Sequence, residues 1–311
     1  MAAIIQIIFA TIFILEFLFG NLLNGFIALV NFVNWVQRRT ISPVDQIITA
    51  LTISRLVQLW LVQINILIFL IHQVKMTEIV VRVINIAWVV TNHFNLWIST
   101  KLSIFYLLKI VNFSSSIFLY LKWRTRHVVS VTLMMSLAFL VLNIIVINTH
   151  IDVWVELNVR IMPYNFSSRN STLFLKHLLF TNSIFASIPF AVSLVAFFLL
   201  IFSLWKHEKK MCNNARGSRD SNTKAHIKAL KTGLAFLSLY AIFLLSLVIN
   251  VCSIELQENY MIFLFSLFTG IAFSLFHSYI LILGNTKLRQ ASLSVLWWMR
   301  CRPKDVRSSG S

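Results

Sequence analysis

The chain has 311 residues, of which 58% are hydrophobic and only 12% are charged. With 7 glycines and 4 prolines, this composition excludes a disordered chain and a collagen-like one. A net charge of +17 would suggest a nucleic-acid partner in a soluble protein, but the basic residues here lie in short connections between long apolar runs, which is typical of membrane orientation. These runs are about 20 residues or longer, as a helix needs in order to cross roughly 30 Å of hydrocarbon. We therefore predict an all-α integral membrane protein that binds no nucleic acid.

Seven membrane-spanning helices are predicted. In chain order they cover residues 4–35, 44–70, 83–109, 128–148, 181–205, 232–253 and 260–283. The first has neither a basic segment before it nor a small-residue cleavage site after it, so we expect an uncleaved signal anchor. In the tail at 284–311, apolar and basic residues interleave as in a short amphipathic helix on the membrane surface. Cys301 in this tail is either a palmitoylation site or a free thiol.

The second span carries a charged residue, Arg55, near its middle. At that depth a charged side chain costs from ~3 kcal/mol upward unless it is paired or hydrated. Candidate partners are the polar residues of the first span, namely Glu16, Asn21 and Asn24. We predict that Arg55 faces the interior of the bundle.

The third span is unusually polar for a membrane helix and has apolar spans on both sides of it in the sequence. Its polar residues are Asn85, Asn92, His93, Asn95 and Lys101. Because polar groups in hydrocarbon need a partner or a water-lined cavity, we predict that this helix is central in the bundle. Trp88 and Asn92 are four residues apart and so lie on one helix face, where they could hold an apolar ring and one polar group of a ligand. The alternative is that Trp88 lies at the membrane interface and Asn92 bonds a neighbouring helix.

The fifth span contains Pro189, which removes one helical hydrogen bond and favours a kink. The connection before it, residues 149–180, is the longest polar connection on its side of the membrane. It contains two glycosylation sequons, at Asn165 and Asn170.

Lysines and arginines are divided unevenly between the two sets of alternating connections. One set, together with the tail, holds 20 and the other holds 5, while Arg55 and Lys101 lie within spans. An excess in connections of this size marks the cytosolic side. We therefore predict an outside N-terminus and a cytosolic tail, which places the sequons at Asn165 and Asn170 outside. The sequon at Asn112 falls on the cytosolic side and should stay unmodified.

Several long motifs occur in the spans or next to them. They are Gly20–Ile27, Leu51–Arg55, Asn92–Phe94, Ser103–Ile110, Leu200–His207, Lys224–Leu230 and His277–Asn285. In this order and these positions the motifs resemble those of the bitter taste receptors, the type 2 taste receptor family of G-protein-coupled receptors. The resemblance covers essentially the whole chain. It implies a multi-pass plasma-membrane receptor that detects bitter small molecules from the extracellular side and activates a heterotrimeric G protein with a gustducin-like alpha subunit and beta-gamma.

The resemblance also implies roles for single residues. Positions that match the family's ligand pocket are Trp88, Asn92, Asn65, Phe243 and Leu267, and His93 beside Asn92 is a further ligand-binding candidate. Residues expected to face the G protein are Tyr106, Lys109, Ser203, Lys206, His207 and Lys228. Residues expected to have a structural or activating role are Asn24, Arg55, His277 and Ser278. Ordinary positive-inside charge explains the basic residues of this set equally well without any partner.

The chain departs from the family pattern at three positions. Ser274 stands where the family usually has a proline, so a kink of the seventh span is in doubt. Ile66, after Asn65, replaces a frequent tryptophan of the second span. Lys101 stands where the family has a small residue, and its ammonium group must reach the lipid edge, find a partner or lose its proton.

A transporter or channel for small solutes is the alternative function. Against it stand the odd number of spans, the lack of an internal repeat and the lack of paired helices broken by glycine or proline. An enzyme is not expected, because the spans contain no Ser-His-Asp set, no paired carboxylates and no metal-ligand spacing.

Overall fold

A computed structural model describes residues 2–71, 78–110, 123–161, 168–213, 221–255 and 260–300. Within these ranges the chain forms eight helices and no strand. They are α1 (Ala2–Arg38), α2 (Pro43–Ile71), α3 (Glu78–Ile110), α4 (Thr125–Ile161), α5 (Ser168–Asn213), α6 (Ser221–Glu255), α7 (Tyr260–Gly284) and α8 (Thr286–Arg300). The all-α prediction is confirmed.

The described helices fit a seven-helix membrane bundle. Six of them, α1 to α6, are each long and apolar enough to cross a membrane. Helix α7 meets the same criterion of length and apolar composition when it is taken together with α8, and the two helices are bent by 94° relative to each other. We call the end of the bundle at the start of α1 the N-terminal end, and the opposite end, where α8 leaves, the α8 end. Which of the two ends faces the cytosol stays a prediction.

The bend between α7 and α8 is set by a helix cap. The side-chain oxygen of Asn285 accepts hydrogen bonds from the backbone N–H groups of Lys287 (3.0 Å) and Leu288 (3.4 Å). This is the N-cap arrangement, in which a side chain satisfies N–H groups that have no partner inside the helix. Leu288 is fully buried, whereas Leu296 and Trp297 farther along are exposed. Helix α8 therefore has one end fastened to the bundle and an apolar face turned outward, and its position on a membrane surface stays a prediction.

The segment 149–180, predicted as a polar connection, is helical throughout its described residues 149–161 and 168–180, because α4 ends later and α5 begins earlier than the predicted spans. Rings pair between the two helices in this region. Trp154 stacks on Phe174 with centroids 5.2 Å apart, and His150 stacks on His177 at 5.5 Å. These ring contacts join α4 and α5 beyond the predicted ends of the two spans.

Helix α3 is central, as predicted, and contacts α2, α4, α5 and α6. It begins at Glu78, five residues before the predicted span. Arg82 in its first turns donates hydrogen bonds to Glu78 (2.6 Å) and, on α4, to Asn148 (2.9 Å) and Asp152 (2.7 Å). The charged first turns of α3 are therefore held by ion pairs at the N-terminal end, outside the apolar part of the sequence.

Among the apolar cores that the described residues form around α3, two flank the candidate site. One joins α1, α2, α3 and α7 and includes Leu51, Leu102 and Leu281. The other joins α3, α5, α6 and α7 and is largely aromatic, with Tyr240 and Phe273 at its centre. The polar side chains of the candidate site lie around and between these two cores.

Candidate functional site

The two residues predicted to share a ligand cavity, Trp88 and Asn92, have different neighbours. Asn92 lines a cavity of about 10 Å³ between α3, α4 and α5. Trp88 lies outside the lining of that cavity and packs against Leu59 and Val62 on α2. Four residues turn a helix by about 400°, so side chains with this spacing are offset by roughly 40°. Around a central helix this offset turns them towards different neighbours, and none of the cavities described here is lined by both residues.

His93, the further ligand-binding candidate, lines the same cavity as Asn92. Two buried asparagines from the neighbouring helices, Asn143 on α4 and Asn182 on α5, also line it. Leu96, Trp97, Phe185 and Pro189 supply much of the apolar wall. Four hydrogen-bonding side chains thus converge from three helices on one small space with apolar walls, which has room for one polar group of the size of a water molecule.

Phe243, a predicted pocket residue, belongs to the aromatic core. Its ring stacks on Phe273 with centroids 5.5 Å apart and lies 6.3 Å from the ring of Tyr240. Only 3% of Phe243 is exposed, so in this conformation it supports the wall behind the cavities. The side chains of Asn65 and Leu267, the other predicted pocket residues, lie outside the described part of the structure.

Arg55 is fully buried and belongs to a network that joins α1, α2 and α7. It donates hydrogen bonds to Ser278 Oγ (2.7 Å) and to His277 Nδ1. Because arginine has no acceptor, His277 must accept at Nδ1, and a neutral ring then carries its proton on Nε2. Ser278 Oγ donates to Asn24 Oδ1 (2.7 Å) and lies 3.0 Å from the carbonyl oxygen of Ser274. All four predicted structural residues are therefore in one network.

The partner predicted for Arg55 is partly wrong. Among the described residues, Oε2 of Glu16 is buried without a hydrogen-bond partner and Arg55 does not reach it. Asn21 bonds a carbonyl of its own helix at 2.8 Å. Only Asn24 belongs to the network, and it is reached through Ser278. The sequence order suggested a partner on the helix before Arg55, whereas the fold brings α7 against both α1 and α2.

A second cavity, of about 40 Å³, lies nearer the α8 end between α3, α5, α6 and α7. Its polar lining consists of five hydroxyl side chains and one imidazole, namely Ser99, Ser103, Tyr106, Ser193, Thr232 and His277. Tyr106, predicted to face the G protein, therefore shares this cavity with His277. Since His277 also bonds Arg55, the cavity borders the buried network directly.

The other residues predicted at the α8 end are described only in part. Lys109 is exposed, and its ammonium group lies 5.7 Å from the centroid of the Phe105 ring one turn earlier. Ser203 is buried on α5. The side chains of Lys206, His207 and Lys228 lie outside the described residues, as do Asn165 and the side chain of Asn170.

Polar side chains of several helices meet at Pro189. The sequence predicted a kink at this proline but not these contacts. Pro189 cannot donate to the carbonyl four residues before it, and polar groups of other helices gather at this point of α5. Tyr240 on α6 donates to the Ala186 carbonyl (2.9 Å), Thr100 on α3 contacts the Pro189 carbonyl (3.1 Å), and Ser193 donates to Thr100 (2.9 Å). We call these five residues the proline junction. The proline junction joins α3, α5 and α6 between the two cavities. The only signal of it in the sequence is the presence of hydroxyl side chains within apolar spans.

The attachment of α8 was also missed. Lys287 places its ammonium group 3.1 Å from Asp45 Oδ2 and 3.3 Å from Asn31 Oδ1. Asn31 in turn donates to Thr49 on α2 (3.0 Å). One lysine thus connects α8 to both α1 and α2 at the end of the bundle where Tyr106 and Lys109 lie.

Comparison with known proteins gives a consistent result. The family described as taste receptor protein (TAS2R) matches residues 1–300. Taste receptor type 2 member 125 of Rattus norvegicus is 49% identical over 309 residues, which cover 99% of each chain. Member 110 of Mus musculus is 47% identical over 322 residues, covering 97% of this chain and 96% of that one. Member 14 of Macaca mulatta is 47% identical over 312 residues, covering 100% of this chain and 98% of that one.

Proposed function

The chain belongs to the taste receptor type 2 family, and on this basis we propose that it detects bitter small molecules from the extracellular side and signals through a gustducin-like heterotrimeric G protein. As a member of this family it is a bitter taste G-protein-coupled receptor of the plasma membrane and not an enzyme. The agonist, its route of entry and the identity of the G protein are the proposed parts.

The proposed ligand site lies around α3 in the half of the bundle near the N-terminal end. Asn92 and His93 face the cavity between α4 and α5, while Trp88 faces α2. An agonist that lies across α3 can contact the indole with an apolar ring and Asn92 with a polar group. We expect Asn65, Phe243 and Leu267 to make further contacts with the same agonist.

The observation that carries the proposal is the pair of cavities in opposite halves of one bundle, with the proline junction between them. Asn92 and Tyr106 mark the two cavities, and both lie on α3. An agonist that binds better to one arrangement of α3, α5 and α6 shifts the population of the bundle towards that arrangement. The cavity beside Tyr106 then changes shape without any direct contact with the agonist.

The α8 end is the proposed surface for the G protein. Tyr106, Lys109, Ser203, Lys206, His207 and Lys228 would line the cleft that opens there. Lysine-rich rims favour an acidic partner helix and the anionic lipid of the cytosolic leaflet. The docked partner would be the alpha subunit, with beta-gamma beside it at the membrane.

Nucleotide exchange tests this function directly. Membranes that contain the receptor are mixed with purified gustducin heterotrimer, and the uptake of a non-hydrolysable GTP analogue is followed while a panel of bitter compounds is added. We expect at least one compound to accelerate uptake. Tyr106→Ala should abolish the acceleration, and Tyr279→Ala, a change of an exposed tyrosine on α7, should leave it intact. Solute flux through the receptor without any exchange would instead favour a transporter.

A further inference from the structure

The cavity beside Asn92 contains polar atoms that the surrounding protein does not satisfy. His93 is 6% exposed and Asn143 is 4% exposed, and both line this cavity. Within the described residues, neither Nε2 of His93 nor Oδ1 of Asn143 has a hydrogen-bond partner. Buried polar atoms are nearly always paired, because an unpaired one loses its bonds to water and gains nothing in return. Two such atoms at one cavity indicate a group that binds there.

Both unpaired atoms can accept a hydrogen bond. An amide oxygen such as Oδ1 of Asn143 can only accept, and a neutral histidine ring with its proton on Nδ1 accepts at Nε2. A group that satisfies both atoms with His93 in this tautomer must carry two hydrogens, which carboxylates, ethers and ketones do not supply.

The size of the cavity restricts this group further. Its volume is about 10 Å³, which is room for one group of the size of a water molecule. Apolar walls from Phe185, Ala186 and Pro189 leave no space for a hydration shell. Metal binding is not supported, because no three histidine, cysteine, aspartate or glutamate side chains come together in the described part of the chain.

We propose that this cavity is a subsite for the NH₂ group of an agonist, which donates one hydrogen to Asn143 and one to His93. Water, which also has two hydrogens, takes the same place when no agonist is bound. The subsite rests on the proposed function, since it is the inner end of the ligand site at Asn92. Asn143 and His93 then distinguish agonists with a primary amide or an aromatic amine, whose NH₂ group is neutral, from those of equal shape that lack it.

Two small probes test this selectivity. Benzamide and acetophenone have nearly the same shape, and differ in an NH₂ group that replaces a methyl group. Their affinities for the purified full-length receptor in lipid nanodiscs are measured by ligand-observed NMR, without G protein. We expect wild type to bind benzamide about tenfold more tightly than acetophenone, the ratio that two neutral hydrogen bonds support. Asn143→Leu, which keeps the size of the side chain, should remove or reverse this preference.

Further variants keep the test decisive. Thr149→Val changes an exposed hydroxyl on α4 that bonds only its own helix, and should keep the tenfold preference. His93→Phe should reduce the preference by about half on a logarithmic scale, because it removes one of the two acceptors. If Asn143→Leu does not fold, the wild-type ratio and His93→Phe decide.

The inference is overturned if wild type binds both probes equally, binds no benzamide, or if Asn143→Leu keeps the wild-type ratio. These outcomes are separate from the failure of the proposed function. Loss of selectivity with intact nucleotide exchange would contradict only the subsite. The expected selectivity without any exchange would contradict only the coupling.

Discussion

Removal of the Ser278 hydroxyl should destabilise the whole bundle. This oxygen accepts a hydrogen bond from Arg55 and donates one to Asn24, each at 2.7 Å, and all three residues are fully buried. A hydrogen bond to a charged group contributes about 1.5–3 kcal/mol and a neutral one about 0.5–1.5 kcal/mol. Ser278→Ala should therefore lower the free energy of unfolding by roughly 2 to 4.5 kcal/mol, since it leaves Arg55 and Asn24 each short of one partner.

The unfolding temperature of the purified receptor, followed by fluorescence-detected size exclusion after heating, measures this loss. Ser187→Ala is the matched control, because that serine is exposed on α5 and bonds only a carbonyl of its own helix (2.7 Å). The control should stay within about 0.5 kcal/mol of wild type. Equal unfolding temperatures for the two variants would refute the reasoning.

Arg55→Ala should likewise reduce surface expression or the response to every agonist alike, whereas an agonist-selective loss at normal expression would place Arg55 in the ligand site.

For topology, an antibody should reach an N-terminal epitope on intact cells and a C-terminal epitope only after permeabilisation. A glycosidase should change the mobility of wild type but not of a variant that lacks both predicted outside sequons. In the ligand site, Asn92→Ala should reduce the potency of agonists with a matching polar group about two- to tenfold. Trp88→Ala should reduce the potency of apolar agonists by a larger factor, because it leaves a void. Unchanged potencies at normal surface levels would place the ligand elsewhere. At the α8 end, Lys287→Ala and Asp45→Ala should each cost about 0.2–1 kcal/mol in thermal stability, as expected for a partly exposed ion pair, and the double variant should lose no more than the larger single loss. Additive losses would show that the pair does not interact.

The architecture was predictable because the membrane restricts the possible structures. In hydrocarbon each segment must satisfy its own backbone hydrogen bonds, so a long apolar run can be assigned as a helix without knowledge of its neighbours. The limits of the helices were predicted less well. Helices α4 and α5 continue past their predicted limits, where they are joined by ring contacts such as that of Trp154 with Phe174, and hydropathy carries no information about such contacts.

Contacts between helices were much harder to predict. A polar residue in an apolar span indicates that a partner exists but not which helix provides it. For Arg55 the partner lies 223 residues away in the sequence, on α7, and not on the preceding helix that carries Glu16. The resemblance to known receptors predicted a structural role for His277 and Ser278, but it gave no distances. The subsite at Asn143 was missed because a single asparagine in an apolar span has no local pattern that distinguishes it.

The strength of the buried polar contacts indicates which part of the bundle can move. On the α1–α2–α7 side, Arg55 donates charge-assisted hydrogen bonds, which are roughly twice as strong as neutral ones, so a rearrangement there is costly. At the proline junction, Thr100, Ser193 and Tyr240 make only neutral hydrogen bonds, to one another or to backbone carbonyls. Each contributes about 1 kcal/mol, and hydroxyl groups can exchange one acceptor for another. A second arrangement of α3, α5 and α6 can therefore lie within the few kcal/mol that differential agonist binding supplies, while α1, α2 and α7 stay in place.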